Sequence, residues 1–276
     1  MMTISSSITN DFTNKLALKV ITGLNNFNMK KVKQMTQAAE IAKATYVDIA
    51  ADINIINELR SNSTIPICVS SISAQTLIKC QKADVQILEI GNYDSFYEQG
   101  RLFSSKEIMN ISKDTKYSLP NTTLCVTIPH VLRVEEQIEL TRDLERIGVD
   151  IVQTEGKSTS LSKNGDLSGI IGRAASTCSS TYAISQNSNM PIVSASGISA
   201  LTAPISFLYG ASGIGIGNNI RQLSNITSMV MYIYEIQTAI ENNRSNKQDI
   251  NHSISRSSIN CNLSPSKIKV HNKILQ

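Results

Sequence analysis

Six side chains of this 276-residue sequence have the types and settings for proton and charge chemistry: Lys19, Asp48, Glu89, His130, Gln153 and Glu155. Each lies in, or just beyond, a short apolar run. The acids could exchange protons with a bound molecule. Lys19 could stabilise a developing anion, or form a Schiff base if its pKa were lowered. Gln153 and Glu155 could orient a substrate, and His130, following Pro129, could serve as acid or base from a loop. A second group (Ser196, Gly197, Gly215, Gly217 and Asn218) consists of small and polar residues of the kind that let backbone N–H groups approach a phosphate. His130 is the one histidine ahead of residue 243, so a two-histidine metal centre is excluded and a Ser-His-Asp triad disfavoured. No metal is expected.

To act together, these residues must be brought to one place, and the strand pattern predicts how. Short β-branched runs at 17–21, 46–50, 67–70, 87–91, 124–128, 151–154, 192–196 and 213–217 alternate with amphipathic stretches. The clearest helical spacing joins Leu167, Ile170, Ile171, Ala174, Ala175, Cys178 and Tyr182. Eight such units predict a single (β/α)8 TIM barrel, with a doubly wound open sheet as the competing arrangement. A weak repeat favours closure. The second, fourth, sixth and eighth strands are approached through Ala44-Thr45, Ala83-Asp84, Gly148-Val149 and Gly210-Ala211, the third and seventh through Pro66 and Pro191.

Strand side chains alternate between faces, so parity assigns each to helices or lumen. Leu18, Val20, Val47, Ile49, Val69, Leu88, Ile90, Val126, Val152, Val193, Ile214 and Ile216 are expected outward. Lys19, Asp48, Ser70, Glu89, Thr127, Gln153, Glu155, Ser194 and Ser196 are expected inward, crowding the C-terminal ends where barrel enzymes build their sites. The segment 194–199 is expected to end strand seven and open a helix with Ser199 as N-cap. Segment 213–218 would do the same at strand eight, giving a phosphate-binding rim after strands seven and eight. Crowding relief in the lumen is the other account of those glycines. A dinucleotide GxGxxG reading fails, because the motif sits in the last unit and Asn occupies 218.

Composition bounds the rest. The chain is 41% apolar, enough for a core, and no apolar run approaches the roughly 20 residues that span a bilayer. Residues 1–15 lack a secretory h-region and the Arg-rich character of a transit peptide. The five cysteines include no CxxC pair, which argues for reduced thiols. Six cations (Arg244, Lys247, Arg256, Lys267, Lys269, Lys273) against Asp249 place the net +4 in the last stretch and leave a near-neutral body. Nucleic-acid and membrane partners are therefore not expected. The division expected is a short extension at 1–14, a barrel at 15–242 and a basic, disordered tail at 243–276.

Several stretches carry a resemblance. They are 16–27 (LALKVITGLNNF), 47–52 (VDIAAD), 89–97 (EIGNYDSFY), 126–130 (VTIPH), 153–156 (QTEG), and Ala195-Ser196-Gly197 with Thr202-Ala203-Pro204. Together they resemble the hypothetical chloroplast reading frame twenty-three family of algal plastids and cyanobacteria, over about residues 15 to 240. The resemblance implies an aldolase-type barrel and a soluble plastid (stromal) location, with synthesis inside the plastid accounting for the missing transit peptide. It transfers no catalytic role. Leu88-Glu89-Ile90-Gly91 also resembles the strand bearing a catalytic Glu in the tryptophan synthase alpha family, which implies that Glu89 faces the lumen. The leading expectation is a lyase or isomerase acting on a small phosphorylated metabolite. The alternatives are a non-catalytic metabolite-binding or regulatory barrel and an FMN-binding protein.

Overall fold

The computed structural model describes residues 6–156 and 167–259. Eight strands pair in parallel and in chain order: β1 (Ala17–Ile21), β2 (Tyr46–Ala50), β3 (Ile67–Ser70), β4 (Ile87–Ile90), β5 (Leu124–Ile128), β6 (Ile151–Thr154), β7 (Ile192–Ala195) and β8 (Gly213–Ile216). The sheet closes where β8 pairs with β1, Ala17 facing Gly213 and Lys19 facing Gly215. Closure excludes the open doubly wound sheet. Strands β4, β7 and β8 each end one residue short of the expected boundary.

Around them run α1 (Ser6–Thr13), α2 (Met29–Ile41), α3 (Ile53–Arg60), α4 (Ala74–Gln81), α5 (Asp94–Tyr97), α6 (Ser105–Ser118), α7 (Val134–Arg146), α8 (Leu167–Ser185), α9 (Ala203–Leu208), α10 (Asn218–Gln222) and α11 (Ile226–Ile259). Local chemistry fixes where helices begin. The Asp52 side chain accepts from the N–H groups of Asn54 and Ile55, and Ser73 and Ser104 cap α4 and α6 in the same way. The small residues that approach the even strands mark left-handed turns at Lys43, Asp84, Gly148 and Gly210. Three of these turns close with an N–H reaching five residues back, from Ala44, Val149 and Ala211. The same turn, at Lys15, precedes β1, so it is not confined to even strands.

The outward strand residues pack with the helices into the main core. Ala17, Tyr46, Cys68, Ile87, Cys125, Ile151 and Val193 fill the lower lumen, and Ile8 and Phe12 of α1 close it from below. Helix α1 thus plugs the barrel floor. Phe12 lies 6.2 Å from the Tyr46 ring and Asp11 accepts from the Thr45 hydroxyl at 2.7 Å. Phe12→Ala is expected to cost about 3–5 kcal/mol, the usual range for emptying a buried aromatic site. Urea unfolding would show it, and a cost under about 1 kcal/mol would mean the plug contributes little to the fold.

Strand β7 corrects the parity expectation. Val193, expected outward, lies in the lumen, whereas Ser194, expected inward, faces α8 and shares a hydrogen bond of 2.5 Å with Thr181. Thr154 of β6 joins the same hydroxyl at 2.8 Å. The rule that polar means inward fails here because α8 presents hydroxyls, not apolar side chains, to these two strands.

Residues 1–240 form one compact unit and 241–276 a second. The basic tail expected from 243 begins within α11, and its residues 260–276 lie outside the described residues. Among the described residues no helix is long and apolar enough to cross a membrane.

Candidate active site

Four expected residues, each near the middle of its strand, converge in the lumen. Lys19 Nζ donates to Glu89 Oε2 and to Gln153 Oε1 (2.9 Å), and lies 3.5 Å from Asp48 Oδ2. Glu89 Oε1 accepts from Gln153 Nε2 at 3.0 Å and from Thr127 Oγ1 at 3.2 Å. Asp48 accepts from Ser70 Oγ at 2.5 Å and from Asn92 Nδ2 at 2.7 Å. Lys19 and Glu89 are fully buried, and Asp48 and Gln153 are 1% exposed. A buried charge is costly unless it is paired and hydrogen-bonded, and here both conditions hold.

The electrostatics follow from one cation facing two acids. Burial opposes the charge on Lys19, yet the Asp48 and Glu89 carboxylates outweigh it and hold the ammonium well above the usual lysine value. That disfavours a Schiff-base role, which needs a free amine. Burial pushes Asp48 up to about 6, with Glu89 adding and Lys19 opposing. Asp48, Cys68 and Glu89 place three candidate ligand atoms within 4.8 Å of one another. The Lys19 ammonium already stands among them as the cation. Burial pushes the Cys68 thiol up too, with both carboxylates adding, so it is a poor thiolate ligand.

Nearer the mouth lies a second layer. Glu155 Oε1 accepts from the Tyr97 hydroxyl (2.6 Å), the His130 backbone N–H (3.0 Å) and His130 Nδ1 (3.1 Å). Because a carboxylate accepts, His130 Nδ1 is the donor in this pair, which leaves Nε2 as the nitrogen not engaged by Glu155. The Tyr97 and His130 rings meet edge-on at 4.6 Å. Glu155 and His130 thus come together, but in this upper layer and not beside Lys19.

Asn92, which sequence reasoning missed, ties the Asp48 side of the lumen cluster to Gln153. Its Nδ2 donates to Asp48 and Ser70, and its Oδ1 accepts from Gln153 Nε2 at 3.5 Å. Its φ of 64° is left-handed, a region asparagine tolerates well. Gly91 before it has no room for a side chain, since a Cβ there would stand 2.0 Å from Thr127 Oγ1. Asp94 was missed as well. Burial raises it to about 6 and Glu155 adds, while Arg221 and His130 oppose. The available signal was the run Gly91-Asn92-Tyr93-Asp94, a glycine and three polar side chains directly after a strand.

The glycine-rich rim divides into two parts. Ser196 (φ 78°) donates to the Gly156 carbonyl, and a Cβ on Gly197 would lie 2.3 Å from the Arg173 carbonyl oxygen of α8. Close helix packing therefore explains Gly197. The expected N-cap at Ser199 is corrected: α9 begins at Ala203 behind Thr202, because Ser199 N–H donates to Thr202 Oγ1 within an intervening turn. Gly215 lies lower in the lumen, where a Cβ would meet Ala195 and Ile21 at 2.9 Å. Gly217 and Asn218 lie beside Arg221, a third omission. Arg221 donates to the Ile21 carbonyl at 3.3 Å and to Asn218 Oδ1. A cation four residues behind the last glycine of the Gly213-Ile214-Gly215-Ile216-Gly217 run was its sequence signal.

Known proteins share both sequence and fold with this chain. It is 74% identical to "Uncharacterized protein ycf23" of Pyropia yezoensis over 262 residues, covering 95% of this chain and 96% of the relative. The Porphyra purpurea protein of the same name is 62% identical over 264 residues, covering 96% and 100%. Among solved structures, (S)-3-O-geranylgeranylglyceryl phosphate synthase from Thermoplasma acidophilum, in complex with sn-glycerol-1-phosphate, superposes with a TM-score of 0.60. It is 12% identical, with 88% of this chain and 100% of that one covered, a likeness of fold alone. The family "Protein of unknown function (DUF561)" matches residues 4–246, and this chain belongs to it.

Proposed function

We propose that the barrel is an enzyme of lyase or isomerase type acting on a small phosphorylated metabolite. One observation carries the reading: two acids and one ammonium share the lumen, with Asp48 raised to about 6. A purely structural pair needs one acid; the second makes the cluster able to take up or release a proton near neutral pH. Asp48 and Glu89 exchange protons with the bound molecule, Lys19 stabilises the developing anion, and Gln153 orients it. His130, held by Glu155, supplies a second base at the mouth. The phosphate sits at the rim after β7 and β8, where barrels often bind one, and the structural neighbour's bound sn-glycerol-1-phosphate supports that class of ligand. The algal relatives support a plastid location.

The test is mass spectrometry of small molecules released when the natively purified protein is denatured. A phosphorylated compound is expected, and Glu89→Gln should lower its turnover by about 10²–10⁴-fold, the usual worth of a positioned acid or base. Wild-type turnover by that variant would remove Glu89 from the chemistry. A second reading, a barrel that binds without catalysing, draws on the hydrogen bonds that both Glu89 oxygens already accept. Saturable binding of the released compound without product formation would favour it.

A further inference from the structure

We infer that Arg221, lying across the seam between β8 and β1, is the anion ligand of the barrel mouth. On the phosphorylated-ligand reading, which this inference presupposes, the phosphate docks on its guanidinium and not on the β7 turn. The rim offered two candidate places, and the structure separates them. At the β7 turn the missing side chain of Gly197 is accounted for by the α8 backbone against it, and Ser196 Oγ is committed to the Gly156 carbonyl. At the seam, the space left by glycine is filled by a cation. A Cβ on Gly217 would stand 2.8 Å from Arg221 Nη1, and one on Gly23 3.5 Å from the same atom. Glycines from the loops after β8 and β1 thus form a shelf on which the guanidinium lies.

The guanidinium is only partly engaged there. Its two hydrogen bonds, to the Ile21 carbonyl and Asn218 Oδ1, leave Nε and one hydrogen on each terminal nitrogen without a hydrogen-bond partner among the described residues. Arginine presents its donors as a planar fork that matches two phosphate oxygens. Both existing acceptors, a backbone carbonyl and an amide oxygen at the β1–β8 seam, are uncharged, so they fix the plane of the fork without neutralising it. The carboxylates of Asp94, Asp48 and Glu98 act on this cation from nearby, yet it forms no ion pair among the described residues. Asp94 is the strongest of the three, so it competes with a bound anion.

Inorganic phosphate, titrated into the full-length protein and followed by calorimetry, tests this. The wild type should bind it saturably, with affinity falling as ionic strength rises. Arg221→Gln should weaken binding by roughly ten-fold or more, the scale of a charge-assisted hydrogen bond. Gly217→Ala, which keeps the charge but crowds Nη1, should weaken it in the same direction, and Asp94→Asn should tighten it. Phosphate affinity unchanged in Arg221→Gln, while the wild type binds, would overturn the assignment and leave the phosphorylated-ligand reading standing. No binding by the wild type would overturn both. If Arg221→Gln does not fold, the opposite shifts in Gly217→Ala and Asp94→Asn decide: their presence supports the seam, and their absence sinks it.

Discussion

Replacing Lys19 by methionine is expected to destabilise the barrel by about 3–5 kcal/mol at pH 7, because removing one partner strands buried charge. The side chains are similar in length, so packing changes little and the effect isolates the ammonium. Lys19 faces Asp48 and Glu89, and all three side chains are buried from bulk solvent. The sign of the pH dependence follows from Asp48. Its pKa is raised from 3.8 to about 6, so its protonated form favours the folded state. That contribution is complete below the unfolded value and lost as pH rises through the folded one. Without the ammonium the folded value climbs further, so the variant's deficit should be largest at neutral pH and shrink toward pH 4. Lys19 itself has a raised value, and its contribution to the wild type disappears only as pH climbs past it. Urea midpoints of both proteins at pH 7 and pH 5 check this; equal deficits at the two values would show that stranded carboxylates are not the cause.

Gly91→Ala is expected to be nearly as damaging, at about 3 kcal/mol, the upper end of ordinary overpacking. The added Cβ would stand 2.0 Å from Thr127 Oγ1 and 2.6 Å from Thr127 Cβ, distances only movement can relieve. Thr127 donates to Glu89 and accepts from Gln153, so a shift there loosens these two hydrogen bonds of the lumen cluster. The double variant Gly91→Ala with Thr127→Gly should recover a large part of the loss, because it removes the atoms struck. A double-mutant cycle reads the coupling directly. Additive losses would place the strain elsewhere, in the backbone leading to Asn92.

Period-two alternation on β1, β2, β4 and β6 was enough to put Lys19, Asp48, Glu89 and Gln153 on one face, because parity is a local property of extended chain. The eight runs, their order and the small residues that approach β2, β4, β6 and β8 were legible for the same reason: each depends on neighbours within a few residues. Ser194 was not legible. Its direction depends on Thr181, a helix residue 13 positions away whose hydroxyl makes the outward face polar. Nor could spacing show that Glu155 and His130 form a layer apart from Lys19, since their height depends on how Tyr97 of α5 folds over the rim.

Composition and alternation determined, on every strand but β7, which side chains this protein turns inward, and that its strands could close. Closure itself, the pairing of one ammonium with two acids, and the placing of Arg221 from residue 221 beside the carbonyl of residue 21 were decided by tertiary structure. The physical reason is that short-range sterics fix a strand's faces, whereas the partner of a buried charge is chosen by desolvation, which depends on every element that closes over it.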